Sequence, residues 1–182
     1  MEETARRGRL WVLTDQAGSL IEDIDTDQIF HNAFLHITDI SEMGGHAFGN
    51  LEGWKDFPAR AKPGDIIAAG RNFGAGSSRQ QAVDCFIALK IGAILAPSYS
   101  SIYFRNAVNS GLPVLRSAAL EDMVSRRLLE TGDQVEVDFI SGKARILNKN
   151  IPFAAEPMSA VQQEIFSAGS LFAFGRKAGR GG

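Results

Sequence analysis

The stretch Gly70 to Arg79, G-R-N-F-G-A-G-S-S-R, holds the residue types best suited to chemistry in this chain. Gly70, Gly74 and Gly76 permit a tight turn whose backbone N–H groups converge on an anion. Two adjacent hydroxyls, Ser77 and Ser78, and a guanidinium, Arg79, follow. A serine in this setting has three readings. It can cap the next helix, since Ser77 or Ser78 falls at the predicted N-cap and Arg79 in the first turn. It can be a nucleophile, which needs a partner base; no G-x-S-x-G elbow supports this. It can accept a proton as an alkoxide stabilised by backbone N–H groups, a helix N-terminus and a nearby cation. Arginine at a helix N-terminus opposes the macrodipole. A carboxylate bound between the two, gripped by the guanidinium fork, accounts for it. The loop is not a Walker A motif, because no G-K-[ST] follows, and G-x-G-x-x-G is absent too.

Other polar residues offer less. Asp23, Asp25 and Asp27 alternate in D-I-D-T-D. Such carboxylates can ligate Ca²⁺ or Mg²⁺, but without the EF-hand glycine and terminal glutamate, turn-forming Asx hydrogen bonds are the favoured reading. His31, His36 and His46 show no metal-ligand spacing. The one cysteine, Cys85, excludes an intrachain disulfide and a self-contained iron–sulfur cluster. It falls on the apolar stripe Ala82, Cys85, Phe86, Leu89, which reads as core. Arg105, in S-I-Y-F-R-N-A, reads by itself as a surface arginine.

The elements that must position these groups follow an α/β pattern. Gly8 to Thr14 reads as a first strand, and 30–63 as a long irregular segment whose aromatics pack down. Asp65 to Ala69 is a strand, and 80–91 an amphipathic helix stopped by Gly92. Ala93 to Ala96, 100–110 and 112–115 continue as strand, helix and strand. This order predicts a parallel β-α-β core with right-handed crossovers. Leu120 to Glu130 reads as a helix, 134–139 and 143–147 as a β-hairpin, and 158–166 as a last helix. One domain over 1–175 is expected, followed by a frayed glycine- and arginine-rich tail over 176–182. Exposed apolar residues within 40–57 are candidates for partner contact.

Composition narrows the classes. At 182 residues with 45% hydrophobic content, the chain can bury a core. A net charge of −2 gives no basic field for nucleic acid. No apolar run approaches the ~20 residues of a membrane span. The polar N-terminus has no signal-peptide pattern, so a cytoplasmic location is expected.

Taken together, N-F-G-A-G-S-S-R-Q-Q-A, S-Y-S-S-I-Y-F-R-N-A-V-N-S-G-L-P, the earlier D-I-D-T-D-Q-I and Phe34-Leu35 resemble the swivelling domain of the aconitase superfamily. The match is to the free-standing small subunits of the 3-isopropylmalate dehydratase family, and it runs from about Leu10 to Leu115. The resemblance implies a swivelling β/β/α fold and half of a hydro-lyase. A large-subunit partner would carry the [4Fe–4S] cluster, with no cofactor or metal on this chain. It implies Ser77 as the base and Arg79 as a carboxylate clamp. Ser78 and Gly76 would bind the substrate carboxylate, and Phe34, Leu35 and Thr38 would lie near its variable group. Asp25, Asp27, Asn72, Gly74 and Arg105 would support them.

Some positions depart from the family pattern. Gln80-Gln81 stands where the family has a glutamate-containing pair, His31 where it often has proline, and Ala33 where it has a basic residue. The loop F-L-H-I-T leaves the substrate open between 2-isopropylmalate and another hydroxy-carboxylate, such as homoaconitate or a methyl-substituted malate. A non-catalytic anion-binding module is the remaining reading, against which the intact S-S-R argues.

Overall fold

The computed structural model describes residues 4–179. Seven strands form one sheet: β1 (Ala5–Val12), β2 (Ile66–Ala68), β3 (Ala93–Ala96), β4 (Val114–Arg116), β5 (Gln134–Asp138), β6 (Lys143–Ile146) and β7 (Ile151–Ala154), in the order β4-β3-β2-β1-β5-β6-β7. The first four run parallel, and β1, β5, β6 and β7 pair antiparallel. One strand joins the halves: Arg9 and the residues before it pair with β5, while Leu10 to Val12 pair with β2. The α/β class and the parallel core match the sequence expectation.

Alternation along the strands divides the interior. Trp11, Ile67 and Ile94 face one core; Leu10, Val12, Ile66, Ala68 and Leu95 face the other. Parallel strands buried on both faces need such continuous apolar runs. The first core lies under α1 (Thr26–Ile29), α2 (Ile40–Met43), α3 (Phe57–Arg60), α4 (Gln81–Ala88) and α5 (Ser101–Asn109). The second packs beneath α6 (Leu120–Ser125) and the antiparallel strands. Asp65 is buried at the start of β2 and accepts bonds from Trp11 Nε1, Arg9 Nη2 and the Lys62 N–H. A buried carboxylate is tolerable when so fully bonded.

Several boundaries differ from the sequence reading. β1 starts and ends earlier, because its first half is claimed by β5. α4 ends at Ala88 rather than Ile91, and the reversal uses Lys90 at φ 56°. Gly92 serves close approach instead of stopping the helix: a Cβ there would lie 2.7 Å from the Gly64 carbonyl oxygen. The expected helix over 120–130 is only the six residues of α6. The hairpin gains a third strand, β7, whose Pro152 is tolerated because β7 lies at the sheet edge. The last helix is α7 (Ala160–Ala168), closed at its N-terminus by a Ser159–Gln162 capping box. A further helix, α8 (Leu171–Ala178), takes in the first residues of the expected tail; residues 180–182, and Met1 to Glu3 at the other end, lie outside the described residues. The expected apolar contacts within 40–57 also change. Met43, Phe48, Leu51 and Phe57 are buried, whereas Ile40 is exposed.

Candidate active site

The glycine loop lies between two other segments. On one side, the Gly70 N–H donates to the Ile21 carbonyl, Asp23 N–H to Arg71, Gly74 N–H to Ile24, and Thr26 N–H to Ala75. On the other, the Phe73 N–H donates to the Ser98 carbonyl, the Ser100 N–H returns to Phe73, and the Asn72 N–H donates to Ser98 Oγ. Asn72 sits at φ 53°, a conformation asparagine tolerates, and its side-chain amide donates to Asp23 Oδ1 at 2.7 Å. Gly74 is required by contact. At φ 78°, a Cβ on it would lie 2.1 Å from Tyr103 Cγ.

The aspartates act as braces. Asp25 caps α1, accepting from the Gln28 N–H at 2.8 Å, while Gln28 Oε1 accepts from the Asp25 N–H. Asp27 accepts from Arg79 Nη1 at 2.9 Å, the Asn32 N–H at 2.9 Å and Asn50 Nδ2 at 2.8 Å. Burial alone would push Asp27 up, but these donors outweigh it and hold its carboxyl below the usual range. Among the described residues no cluster of three or more His, Cys, Asp or Glu is placed to hold a metal ion.

The expected serine cap is corrected. α4 begins at Gln81 with Gln80 as its N-cap residue and no side-chain cap bond, so Ser77, Ser78 and Arg79 all precede it. Ser77 and Ser78 are exposed. Their freedom from capping duty is what makes them available. The backbone N–H groups of Gly76, Ser77 and Ser78 have no acceptor among the described residues. Successive backbone donors left unpaired at a glycine turn are suited to binding an anion. Ser77 Oγ lies 3.1 Å from Thr26 Oγ1.

Arg79 is half committed. Its Nη1 donates to Asp27 and, at 2.8 Å, to the Phe30 carbonyl. Its side chain is 14% exposed, and Nε and Nη2 have no partner among the described residues. A guanidinium fixed by one nitrogen, with two left over, is pre-set to grip a carboxylate.

Phe34 ends a 3₁₀ turn over Asn32–Phe34 and stacks on His46 with ring centroids 4.0 Å apart. It is partly buried against the first core, while Leu35 and Thr38 are exposed. Arg105 is exposed on α5 and has no partner in the loop among the described residues. The bracing comes from Tyr103 and Ser98. Tyr103 is buried, and its hydroxyl donates to the Ala82 carbonyl at 3.2 Å, tying α5 to α4. The Cys85 thiol is buried and pushed up by that burial, which does not fit a cluster ligand.

Gln80, where the family pattern has glutamate nearby, donates through Nε2 to Asp84 Oδ1 and to Ser110 Oγ, both at 2.9 Å. Burial raises the Asp84 carboxyl despite the Gln80 bond. Gln80→Glu replaces that donor by a second carboxylate, at a cost of about 1 kcal/mol near neutral pH. A folded pKa above the unfolded value means the charged form costs stability. That cost is absent below the unfolded value, grows as pH rises from the unfolded toward the folded value, and is complete above it. Thermal melts at pH 3 and pH 7 will show the variant's deficit at pH 7 and little at pH 3; an equal deficit at both would rule out this pairing.

An open cleft of about 810 Å³ lies beside α1, lined by Thr14, Asp15, Gln28, Glu52 and Trp54 among others. Ser77, Ser78 and Arg79 do not line it; Ser77 and Ser78 face open surface. The glycine loop's hydroxyls and guanidinium therefore lie outside that cleft.

Comparison with known proteins places this geometry. A family model described as the aconitase C-terminal domain matches residues 55–119. The chain is 37% identical over 163 residues to the 3-isopropylmalate dehydratase small subunit of Caldicellulosiruptor saccharolyticus, covering 90% of each chain. It is 37% identical over 171 residues to that of Thermodesulfovibrio yellowstonii, covering 94% of each. The methanogen homoaconitase small subunit of Methanocaldococcus jannaschii is 34% identical over 91% of this chain and 92% of its own. A crystal structure of 3-isopropylmalate dehydratase from the same organism superposes with a TM-score of 0.82 at 33% identity, covering 96% of this chain and 95% of that one.

Proposed function

The chain belongs to the 3-isopropylmalate dehydratase-type small-subunit family of the aconitase superfamily, and we propose that it is the half-enzyme of a hydro-lyase that converts 2-isopropylmalate to 3-isopropylmalate by dehydration and rehydration. The observation that carries this reading is the exposed Ser77 hydroxyl beside three unpaired N–H groups and a half-anchored arginine. In this reading the substrate carboxylate lies against the N–H groups of Gly76 and Ser78, clamped by Arg79 through Nε and Nη2. Ser77 Oγ, as alkoxide, takes the proton from the carbon next to a carboxylate. The electron pair forms the double bond as hydroxide leaves the neighbouring carbon; that hydroxide and the proton now on Ser77 together make up the water lost. Rehydration with the opposite regiochemistry returns the Ser77 proton and completes the isomerisation. Burying these dipoles under a second chain strengthens their hold on the developing charge.

The second chain is a large subunit, placed in the cytoplasm with this one. Its [4Fe–4S] cluster supplies, when bound, a Lewis acid for the departing hydroxyl. Leu35 and Thr38 meet the substrate's variable group, and Phe34 backs them from its stack on His46. The M. jannaschii homoaconitase small-subunit relative favours a second reading, in which the same machinery handles a longer tricarboxylate.

Anaerobic assays of the chain co-expressed with its cluster-bearing large subunit separate the readings. Dehydration of 2-isopropylmalate at the highest kcat/KM is expected among 2-isopropylmalate, homocitrate, citrate and methyl-substituted malates. A preference for homocitrate would move the assignment to the second reading. Turnover of none of them by an assembled, cluster-loaded complex would overturn both.

A further inference from the structure

Thr26 is the first residue of α1 and only 3% of it is exposed. Its backbone is fixed on both sides: the N–H donates to the Ala75 carbonyl and its own carbonyl accepts from the Phe30 N–H, both at 2.9 Å. Its Oγ1 lies 3.1 Å from Ser77 Oγ and has no other partner among the described residues. The hydroxyl is not needed to start the helix, because Asp25 performs the cap.

Burial sets the direction of this bond. Either oxygen could donate, but a buried hydroxyl proton with no acceptor carries a full desolvation penalty, which favours Thr26 as the donor to Ser77 Oγ. Ser77 is exposed and can direct its own proton outward. The neighbouring acids do not compete for that proton: Asp25 is bound to the Gln28 N–H, and Asp27 to Arg79, the Asn32 N–H and Asn50. Arg79, the nearby cation, is turned toward Asp27 and the Phe30 carbonyl.

We propose that Thr26 is a positioning residue: it donates a hydrogen bond to Ser77 Oγ, which selects one Ser77 rotamer and stabilises the alkoxide. The proposal rests on Ser77 acting as the base. A donor to the charged form counts for more than one to the neutral form, so the contact strengthens as the proton leaves.

The test uses the assembled two-subunit enzyme and compares Thr26→Val, which keeps shape and removes the hydroxyl, with Thr26→Ser, which keeps the hydroxyl. Thr26→Val is expected to lower kcat about 10- to 100-fold with KM nearly unchanged, and Thr26→Ser to restore most of it. Thr26→Ala carries the same reading if the valine variant does not assemble. Parental kcat in the hydroxyl-free variant, a loss confined to KM, or a serine variant as impaired as the valine one would each overturn the proposal. Parental turnover in Ser77→Ala would instead overturn the base assignment, so the two failures are distinguishable.

Discussion

Ser77→Ala will lower kcat of the assembled enzyme by about 10³-fold, the scale of a lost general base, with unchanged assembly and melting temperature. The structural half of this expectation follows from exposure. Ser77 contributes one side-chain bond, to Thr26, and its Oγ position is open to solvent. Water can take that place and accept the Thr26 proton, so the fold loses little. The kinetic half follows from what stays. The N–H groups of Gly76 and Ser78 and the free nitrogens of Arg79 remain to bind a carboxylate, so KM moves far less than kcat. Steady-state kinetics with a melting curve on the same preparation reads both. The Ser77→Ala/Thr26→Val pair adds a sharper check. If Thr26 acts only through Ser77, the double variant is no slower than Ser77→Ala alone. Parental turnover in Ser77→Ala would remove the serine from the chemistry.

What the sequence made legible was local. The parallel strands announce themselves as short apolar runs, and 70–79 announces itself by glycines beside hydroxyls. What it hid was long-range. The cap reading of Ser77 or Ser78 rests on the frequency of serines before helices, but α4 starts later and has no side-chain cap. Arg79 reads from the sequence as a carboxylate grip, yet one of its nitrogens is held by Asp27, 52 residues away. Tyr103 and Thr26 carried no motif of their own. Their roles come from the contact of α5 and of the Asp25–Asp27 segment with the loop, which no local spacing encodes. β7 was hidden by Pro152, a residue that argues against a strand except at an edge. Arg105 attracted notice as a charge in a recognisable run, while the bracing residue was its buried neighbour two positions earlier.

That bracing can be measured. Gly74→Ala is expected to destabilise the chain by about 3 kcal/mol, lowering the melting temperature by roughly 10 °C for a domain of this size. Two costs combine. The backbone sits at φ 78°, which an L-residue adopts at a penalty near 1 kcal/mol. The added methyl would also lie 2.1 Å from Tyr103 Cγ and 2.4 Å from its Cβ. The Tyr103 ring cannot step aside cheaply: it packs edge-on against Phe73 at 5.2 Å, and its hydroxyl holds the Ala82 carbonyl. Gly53→Ala is the control. It has φ 81° but nothing within 4 Å of the added methyl, so it reports the backbone cost alone. The excess loss in Gly74→Ala over Gly53→Ala is the contact with Tyr103. Equal melting temperatures would show that the loop does not rest on that ring. A large excess would mean that Ser77 and the free N–H groups are held in place from beneath by α5, because the Gly74 N–H is also the donor that ties the loop to Ile24, two residues before Thr26.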